Sequence, residues 1–157
     1  MDIDTQIQVL IDEAPKDGVT GDAVRSIAPT LKEIAGKLQN LQYYIVQTLE
    51  QGWMMTTVNN RTEPNVQKNI VYAFSSLKDV AAGPYSVKDP QVMALPVPVT
   101  HIIFQMLAMK PIDSVIFFET PGNVSHGVQV HRQDVESLVQ FNLQQAQGGS
   151  QIPPDLA

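Results

Sequence analysis

Two prolines in the most apolar stretch of the chain limit most strongly what it can fold into. Residues 92–109 read VMALPVPVTHIIFQMLAM, with prolines at positions 96 and 98. Proline has a fixed φ and no amide hydrogen, so it interrupts a helix, and a membrane-spanning helix needs about 20 apolar residues in a row. The stretch therefore predicts a short strand followed by a largely buried helix, which Thr100 caps, and it does not predict a membrane span.

Length and charge narrow the class of protein further. The chain has 157 residues, no cysteine and a net charge of −6, and its ten Lys and Arg residues are never adjacent. A chain of this length fits one domain with a sizeable core, and scattered cations do not suit phosphate binding. The acidic start, MDIDTQIQVLIDEAP, lacks the basic segment of an export signal. We expect a cytoplasmic protein that does not bind nucleic acid.

The first forty residues have the apolar spacing of helices. Ile3, Ile7 and Leu10 follow the capping candidate Asp2, which predicts a short amphipathic helix. A second apolar stripe runs from residue 24 to residue 41 and contains Pro29. Because proline is best tolerated in the first turn of a helix, we expect two helical pieces there, with the longer one beginning near Ala28.

Strand patterns dominate the middle of the chain. Residues 41–49 and 53–59 are rich in aromatic and β-branched residues and predict a hairpin, and KNIVYAF predicts an inner strand with two apolar faces. Residues 76–79 have the spacing of a capping box and predict a short helix. Further strands are expected at residues 114–119 and 127–131, before a last helix that turns Val135, Leu138, Val139 and Phe141 inward.

These segments predict a single α/β domain of α+β character over residues 1–146. We expect a mixed β-sheet of about five or six strands with helices packed on it. Residues 1–40 form an N-terminal helical pair, which packs either on this sheet or on a second copy. Residues 147–157 are polar and rich in Gly and Pro, so we expect a disordered tail.

Three histidines are the first candidates for chemistry. His126 and His131 lie in GNVSHGVQVHRQD, but positions five apart on a strand point to opposite faces, which disfavours a shared metal ion. The simpler interpretation makes His126 a loop residue and His131 a strand-end residue. His101 lies in the first turn of the apolar helix, where a neutral, hydrogen-bonded core histidine is expected. No nucleotide-binding, metalloprotease or EF-hand motif occurs, so we predict no catalytic, cofactor-binding or metal site.

Two apolar features favour contact with another protein. Leu31, Ile34 and Leu38 have coiled-coil-like spacing, and Trp53 and Met55 place bulky, adaptable side chains on a predicted strand. The alternative is that both features pack in the core of the same chain. We take these five residues as the candidate protein-binding surface.

The order of elements in residues 53–143 resembles the N-terminal domain of the SseB family. The resemblance lies in the strand NIVYAF running through Ser75-Ser76 into a short helix, and in residues 112–122, which look like the penultimate strand of that family leading into a Pro-Gly turn. It implies a compact α/β domain of small cytosolic proteins, and it transfers no catalytic residues.

The sequence therefore predicts a non-catalytic cytosolic domain that binds or regulates another protein, or binds a second copy of itself. No cofactor is expected. The alternative is a small-molecule sensor or minor enzyme with a pocket near His101, Glu119 and His126, which only the fold could bring together.

Overall fold

The computed structural model describes residues 2–13, 20–48, 52–59, 67–82, 92–109, 111–122 and 127–150. Within these residues it has five helices and six strands. The helices are α1 (Ile3–Asp12), α2 (Thr20–Ala35), α3 (Leu77–Ala82), α4 (Val99–Ala108) and α5 (Arg132–Ser150). The strands are β1 (Gln42–Thr48), β2 (Thr56–Asn59), β3 (Gln67–Phe74), β4 (Val92–Pro98), β5 (Ser114–Phe117) and β6 (Val128–His131).

All six strands belong to one mixed sheet, as predicted. Their order is β4-β1-β3-β5-β6, and β2 pairs with β3 outside this path. The pair β3–β5 is parallel and the other pairs are antiparallel. β3 has β1, β2 and β5 as neighbours, which confirms the prediction of an inner strand. β4 and β6 are the outermost strands of the path.

The backbone of β1 shows which residues of β4 point towards β1. The Val99 amide donates to the Leu41 carbonyl at 2.9 Å, on the β4 side of β1. On the opposite side of β1, the Met54 amide donates to the Val46 carbonyl at 2.9 Å. Backbone groups of successive strand residues alternate between the two sides. The odd-numbered residues of β1 therefore bond to β4, and the even-numbered ones bond away from it.

This alternation explains how β4 accommodates two prolines. Pro96 lies opposite Tyr44 and Pro98 lies opposite Gln42, within an unbroken register of seven residue pairs. Both prolines are even-numbered, so the position of their missing N–H faces away from β1. No ladder hydrogen bond is lost, as expected for proline in an edge strand.

The sheet has two apolar faces of unequal size. Four helices cover one face, and the larger core lies between them and the sheet, with Ile7, Leu31, Ile45, Ile103 and Phe117 among its buried members. The short helix α3 lies on the other face, where a smaller cluster contains Val46, Phe74, Val80 and Phe118. The N-terminal helices thus pack on the sheet of their own chain, which decides between the two arrangements expected for them.

The predicted hairpin between residues 41–49 and 53–59 forms only at its turn end, where the Thr48 amide donates to the Gly52 carbonyl and the Met54 amide donates to the Val46 carbonyl, both at 2.9 Å. One isolated bridge joins Gln47 to Trp53, after which the chain leaves β1, and Thr56 pairs with Ile70 on β3 instead. The local pattern identified both extended segments correctly. It did not identify the partner of β2, because the paired residues of β3 lie eight to fourteen positions further along the chain.

The predicted break in the second helix is wrong, since α2 continues from Thr20 through Pro29 to Ala35. A proline at this position removes the hydrogen bond to the Arg25 carbonyl. Pro29 and Arg25 are both exposed, so water can solvate that carbonyl.

The first turn of α4 is bound by another helix rather than capped by Thr100. Pro98 occupies the N-cap position and makes no side-chain capping bond. The amide and the hydroxyl of Thr100 both donate to Oε1 of Gln6, at 3.1 and 2.9 Å, and Nε2 of Gln6 donates to the Leu41 carbonyl at 2.8 Å. Gln6 is 1% exposed. One buried amide therefore connects α1 to both α4 and the start of β1.

The last helix differs from its prediction at two points. Val135 is buried as expected, whereas Phe141 is 58% exposed and does not face the core. α5 runs to Ser150, so residues 147–150 are helical although they were expected in the tail. Residues 151–157 of the predicted tail lie outside the described residues.

Candidate functional site

Four of the five residues predicted to bind a partner lie in the core. Leu31 is 0% exposed, Ile34 is 7%, and Leu38 and Trp53 are each 9%, so these side chains are not available to a partner of the folded chain. The spacing of the α2 stripe suits a helix packed on its own sheet as well as it suits a coiled coil. Of the five, Met55 alone is exposed, at 37%.

Of the three residues of the alternative pocket, His101 and Glu119 bind different groups in the described part of the chain. Nε2 of His101 lies 3.0 Å from the backbone carbonyl of Gln6, so this ring nitrogen donates the hydrogen bond. This agrees with the prediction of a hydrogen-bonded histidine. Glu119 lies after β5 and accepts from the Gln39 amide at 2.7 Å. His126 lies outside the described residues.

Glu119 joins the α2–β1 connection to the end of β5. Its carboxylate also accepts a hydrogen bond from the Tyr43 hydroxyl, and its backbone carbonyl accepts from the side-chain amide of Asn40 at 3.0 Å. Burial raises the pKa of Tyr43, and the hydrogen bond to Glu119 raises it further. These hydrogen bonds hold the α2–β1 connection against the end of β5. The polar groups of the cluster bind one another.

The stretch with His131 borders a polar cleft of about 540 Å³ between β6 and the start of α5. His131 is exposed at the strand end, as expected from its spacing. Arg132 donates through Nε to the Ile112 carbonyl at 2.7 Å and through Nη1 to Glu136 at 3.1 Å, and its guanidinium lies 4.0 Å from Asp113. The guanidinium of Arg132 therefore already binds groups of its own chain.

The Pro-Gly turn after β5 binds a carboxylate of the same chain. The Gly122 amide lies 2.9 and 3.0 Å from the two oxygens of Asp79, and Gly122 has φ of 86°. The Ser75 hydroxyl lies 3.3 Å from the same carboxylate, while the Ser76 hydroxyl accepts from the Asp79 amide at 3.2 Å. Ser76 thus caps α3 as predicted. Asp79 stands where a capping box prefers Glu, and it binds the turn instead of the helix start.

The outer edge of β4 carries exposed apolar side chains. Met93 is 41% exposed and Leu95 is 40% exposed, and they lie opposite Gln47 and Ile45 on the helix-covered face. Trp53 forms a β-bridge with Gln47 on the side of β1 that faces away from β4, and Met55 lies two residues after Trp53. We call the segment Val92, Met93, Ala94 and Leu95 the β4 edge.

The backbone of the β4 edge offers hydrogen bonds outward. By the alternation described above, the odd-numbered Met93 and Leu95 bond to β1, whereas Val92 and Ala94 present their N–H and C=O groups away from the sheet. Neither β1 nor β4 contains a charged residue. An apolar edge without charges is a surface on which a further strand can add.

The sequence reasoning missed this edge, although a signal for it was present. Prolines at positions 96 and 98 are two residues apart, which is the spacing of positions that share one side of a strand. A strand with prolines on one side only is typical of a sheet edge. At the level of sequence, the two prolines served only to divide the apolar stretch into a strand and a helix.

No family model and no curated protein sequence matches the chain. Among the described residues, no group of three or more His, Asp or Glu side chains could hold a metal ion. In the same part of the chain, every helix is too short or too polar to cross a membrane.

Proposed function

We propose that this chain is a non-catalytic, cytosolic protein-binding domain whose binding surface is the β4 edge. One observation carries the proposal: side chains of Met93 and Leu95 are exposed next to the outward amides of Val92 and Ala94, on a strand without charges. Proteins seldom leave such an edge bare, because it promotes non-specific pairing.

The geometry suits an extended partner segment that adds to the sheet as a further strand. Hydrogen bonds to Val92 and Ala94 would supply the backbone contacts, and Met93 and Leu95 would supply apolar contacts on one face. Methionine adapts its shape to different partners because its side chain is unbranched and flexible. Pro96 and Pro98 lack the N–H groups that a longer ladder needs, so the partner strand would pair over a short length.

Two sequence features support the location and class of this domain. The absence of cysteine from all 157 residues suits a reducing compartment. The resemblance to the SseB family stays a prediction, and a small cytosolic domain without catalytic residues agrees with the binding role.

Photo-crosslinking tests the proposal. Benzoylphenylalanine replaces Met93 in cells that produce the full chain, and it replaces Phe141, an exposed aromatic residue on α5, in the control. We expect protein adducts at position 93 that disappear when Ala94→Pro is added, because this change removes one outward N–H. Equal adducts at both positions, or adducts at position 93 that persist with Ala94→Pro, would contradict binding at the β4 edge.

A further inference from the structure

We infer that the occupant of the β4 edge is a second copy of this chain, paired antiparallel about a two-fold axis that passes beside Met93. This inference rests on the proposed binding role of the edge and names its partner. Three observations carry it: the positions of the outward amides, the position of Pro96, and the lack of charge on β4, the strand that would pair with the copy, and on its neighbour β1.

The outward amides fix the register of the pairing. With the axis at Met93, Val92 lies opposite Ala94 of the second copy, and Ala94 lies opposite its Val92. Each of these residues presents both N–H and C=O outward, so the two pairs make four hydrogen bonds. A shift of the axis towards Leu95 places Pro96 within the ladder, where its ring occupies the position of the missing amide hydrogen.

Pro96 limits the length of this ladder in both directions. It stands three positions after Met93 on β4. In a two-fold ladder about Met93, Pro96 of one copy would lie at one end and Pro96 of the other copy at the opposite end, which limits the pairing to the residues between them. This limit prevents a third copy or a longer strand from extending the same ladder.

Apolar contacts accompany the backbone pairing. Residues opposite each other in a non-hydrogen-bonded antiparallel pair have Cα atoms about 4.5 Å apart, so the two Met93 side chains would touch across the axis. Both lie on the face of the sheet that also carries Leu95. Burial of exposed methionine and leucine against the copy supplies the stabilising apolar contact.

Charge also favours this edge for self-association. The chain has a net charge of −6, so two copies repel each other wherever charged surfaces meet. β1 and β4 have no charged residues, and a contact between β4 edges avoids this repulsion locally. The edge at β6 differs, since it ends at His131 and leads into Arg132 beside the polar cleft.

A four-bond ladder with few side chains is a small interface. Interfaces at the low end of the size range form transient complexes. We therefore expect a weak dimer in rapid exchange with monomer, and the dimer fraction should rise with concentration over the micromolar range.

Cysteine crosslinking gives the sharpest test, because the chain has no cysteine of its own. In the proposed dimer, the two copies of Met93→Cys would have Cα atoms within disulfide range. Leu95→Cys is the matched control: Leu95 is equally exposed, on the same strand and face, but its two copies would lie about 13 Å apart along the ladder. Mild oxidation of the full chain, followed by a non-reducing gel, measures the rate of dimer formation.

We expect Met93→Cys to crosslink about tenfold faster than Leu95→Cys, given how steeply disulfide formation depends on Cα separation. Ala94→Pro should abolish this advantage. Similar rates for the two cysteine variants, or a Met93→Cys rate that Ala94→Pro leaves unchanged, would overturn the two-fold pairing.

Proline variants at the two sheet edges give an independent readout. The Arg132 amide donates to the Asp113 carbonyl at 2.8 Å, so Val128 and Val130 bond to β5 and Gln129 points outward. Gln129→Pro thus blocks the β6 edge as Ala94→Pro blocks the β4 edge. Sedimentation equilibrium should show that Ala94→Pro is monomeric and Gln129→Pro dimerises like the wild type, and circular dichroism should show that both are folded.

The failure of this inference is distinguishable from the failure of the proposed function. A wild-type chain that stays monomeric, with adducts at position 93 that contain only other proteins, overturns the second copy and leaves protein binding at the β4 edge standing. A chain that stays monomeric and gives no adducts at position 93 overturns both.

Discussion

Replacement of Gln6 by leucine should destabilise the fold because one buried amide serves three groups. Leucine has a similar size but removes both hydrogen bonds from Thr100 and the one to Leu41, whose lengths are 2.8 to 3.1 Å. Each is worth about 1 kcal/mol net, and a buried donor left without a partner adds to the loss. The Leu41 carbonyl keeps the Val99 amide, which limits the loss. We expect a decrease of about 3 kcal/mol in the free energy of unfolding.

Urea unfolding followed by circular dichroism measures this decrease, and thermal unfolding should show a midpoint lower by about 10 °C for a chain of this size. Gln8→Leu is the control, because Gln8 lies on the same helix, is exposed, and bonds only to Asp12 within the described residues. Thr100→Val added to Gln6→Leu should cost less than the sum of the single changes, since the two residues share bonds. A loss for Gln6→Leu below about 1 kcal/mol, or equal to that of Gln8→Leu, would refute the assignment of Gln6 as the partner of α4.

Two further changes test the core and the cluster at Glu119. Ile34→Glu should lower the free energy of unfolding in urea by about 3 kcal/mol or more, because it buries a charge in the core. The control Ser26→Glu, on the exposed side of α2, should lower it little. A stable, folded Ile34→Glu chain would make α2 a candidate interface again. Because burial and the hydrogen bond to Glu119 raise the pKa of Tyr43, the unfolded chain ionises first as pH rises above about 10, so the folded state loses stability there. Tyr43→Phe should reduce that alkaline loss in unfolding measured between about pH 8 and pH 11, and an unchanged slope would contradict the raised pKa.

The sequence predicted the elements better than their partners. The apolar alternation of β3 and the spacing of α1 depend on neighbouring residues, and both elements form where they were expected. The pairing of β2 with β3 depends on distant residues, and so does the choice of the α2 stripe between its own sheet and another chain. The spacing of apolar residues within one segment does not show which strand will pair with it or which surface its apolar side will cover.

Single polar residues in the core were the hardest to predict. Glutamine is a residue type usually found at the surface. Gln6 is buried because α4 brings the amide and the hydroxyl of Thr100 to its side-chain oxygen. Asp79 looked like an imperfect helix cap, and only the approach of the turn at Gly122 explains its shorter side chain. In both cases the partner lies on an element more than forty residues away.

The strand order also has a consequence for the nascent chain. β1 and β3 are synthesised early, but the neighbour on the other side of β1 is β4, which emerges about fifty residues after β1. Until then, the uncharged side of β1 that β4 later occupies lies open, and another unfinished chain could add there. The folding of this protein should therefore depend on how soon residues 92–98 reach β1, and changes that weaken β4 should reduce the yield of soluble chain before they reduce the stability of the finished fold.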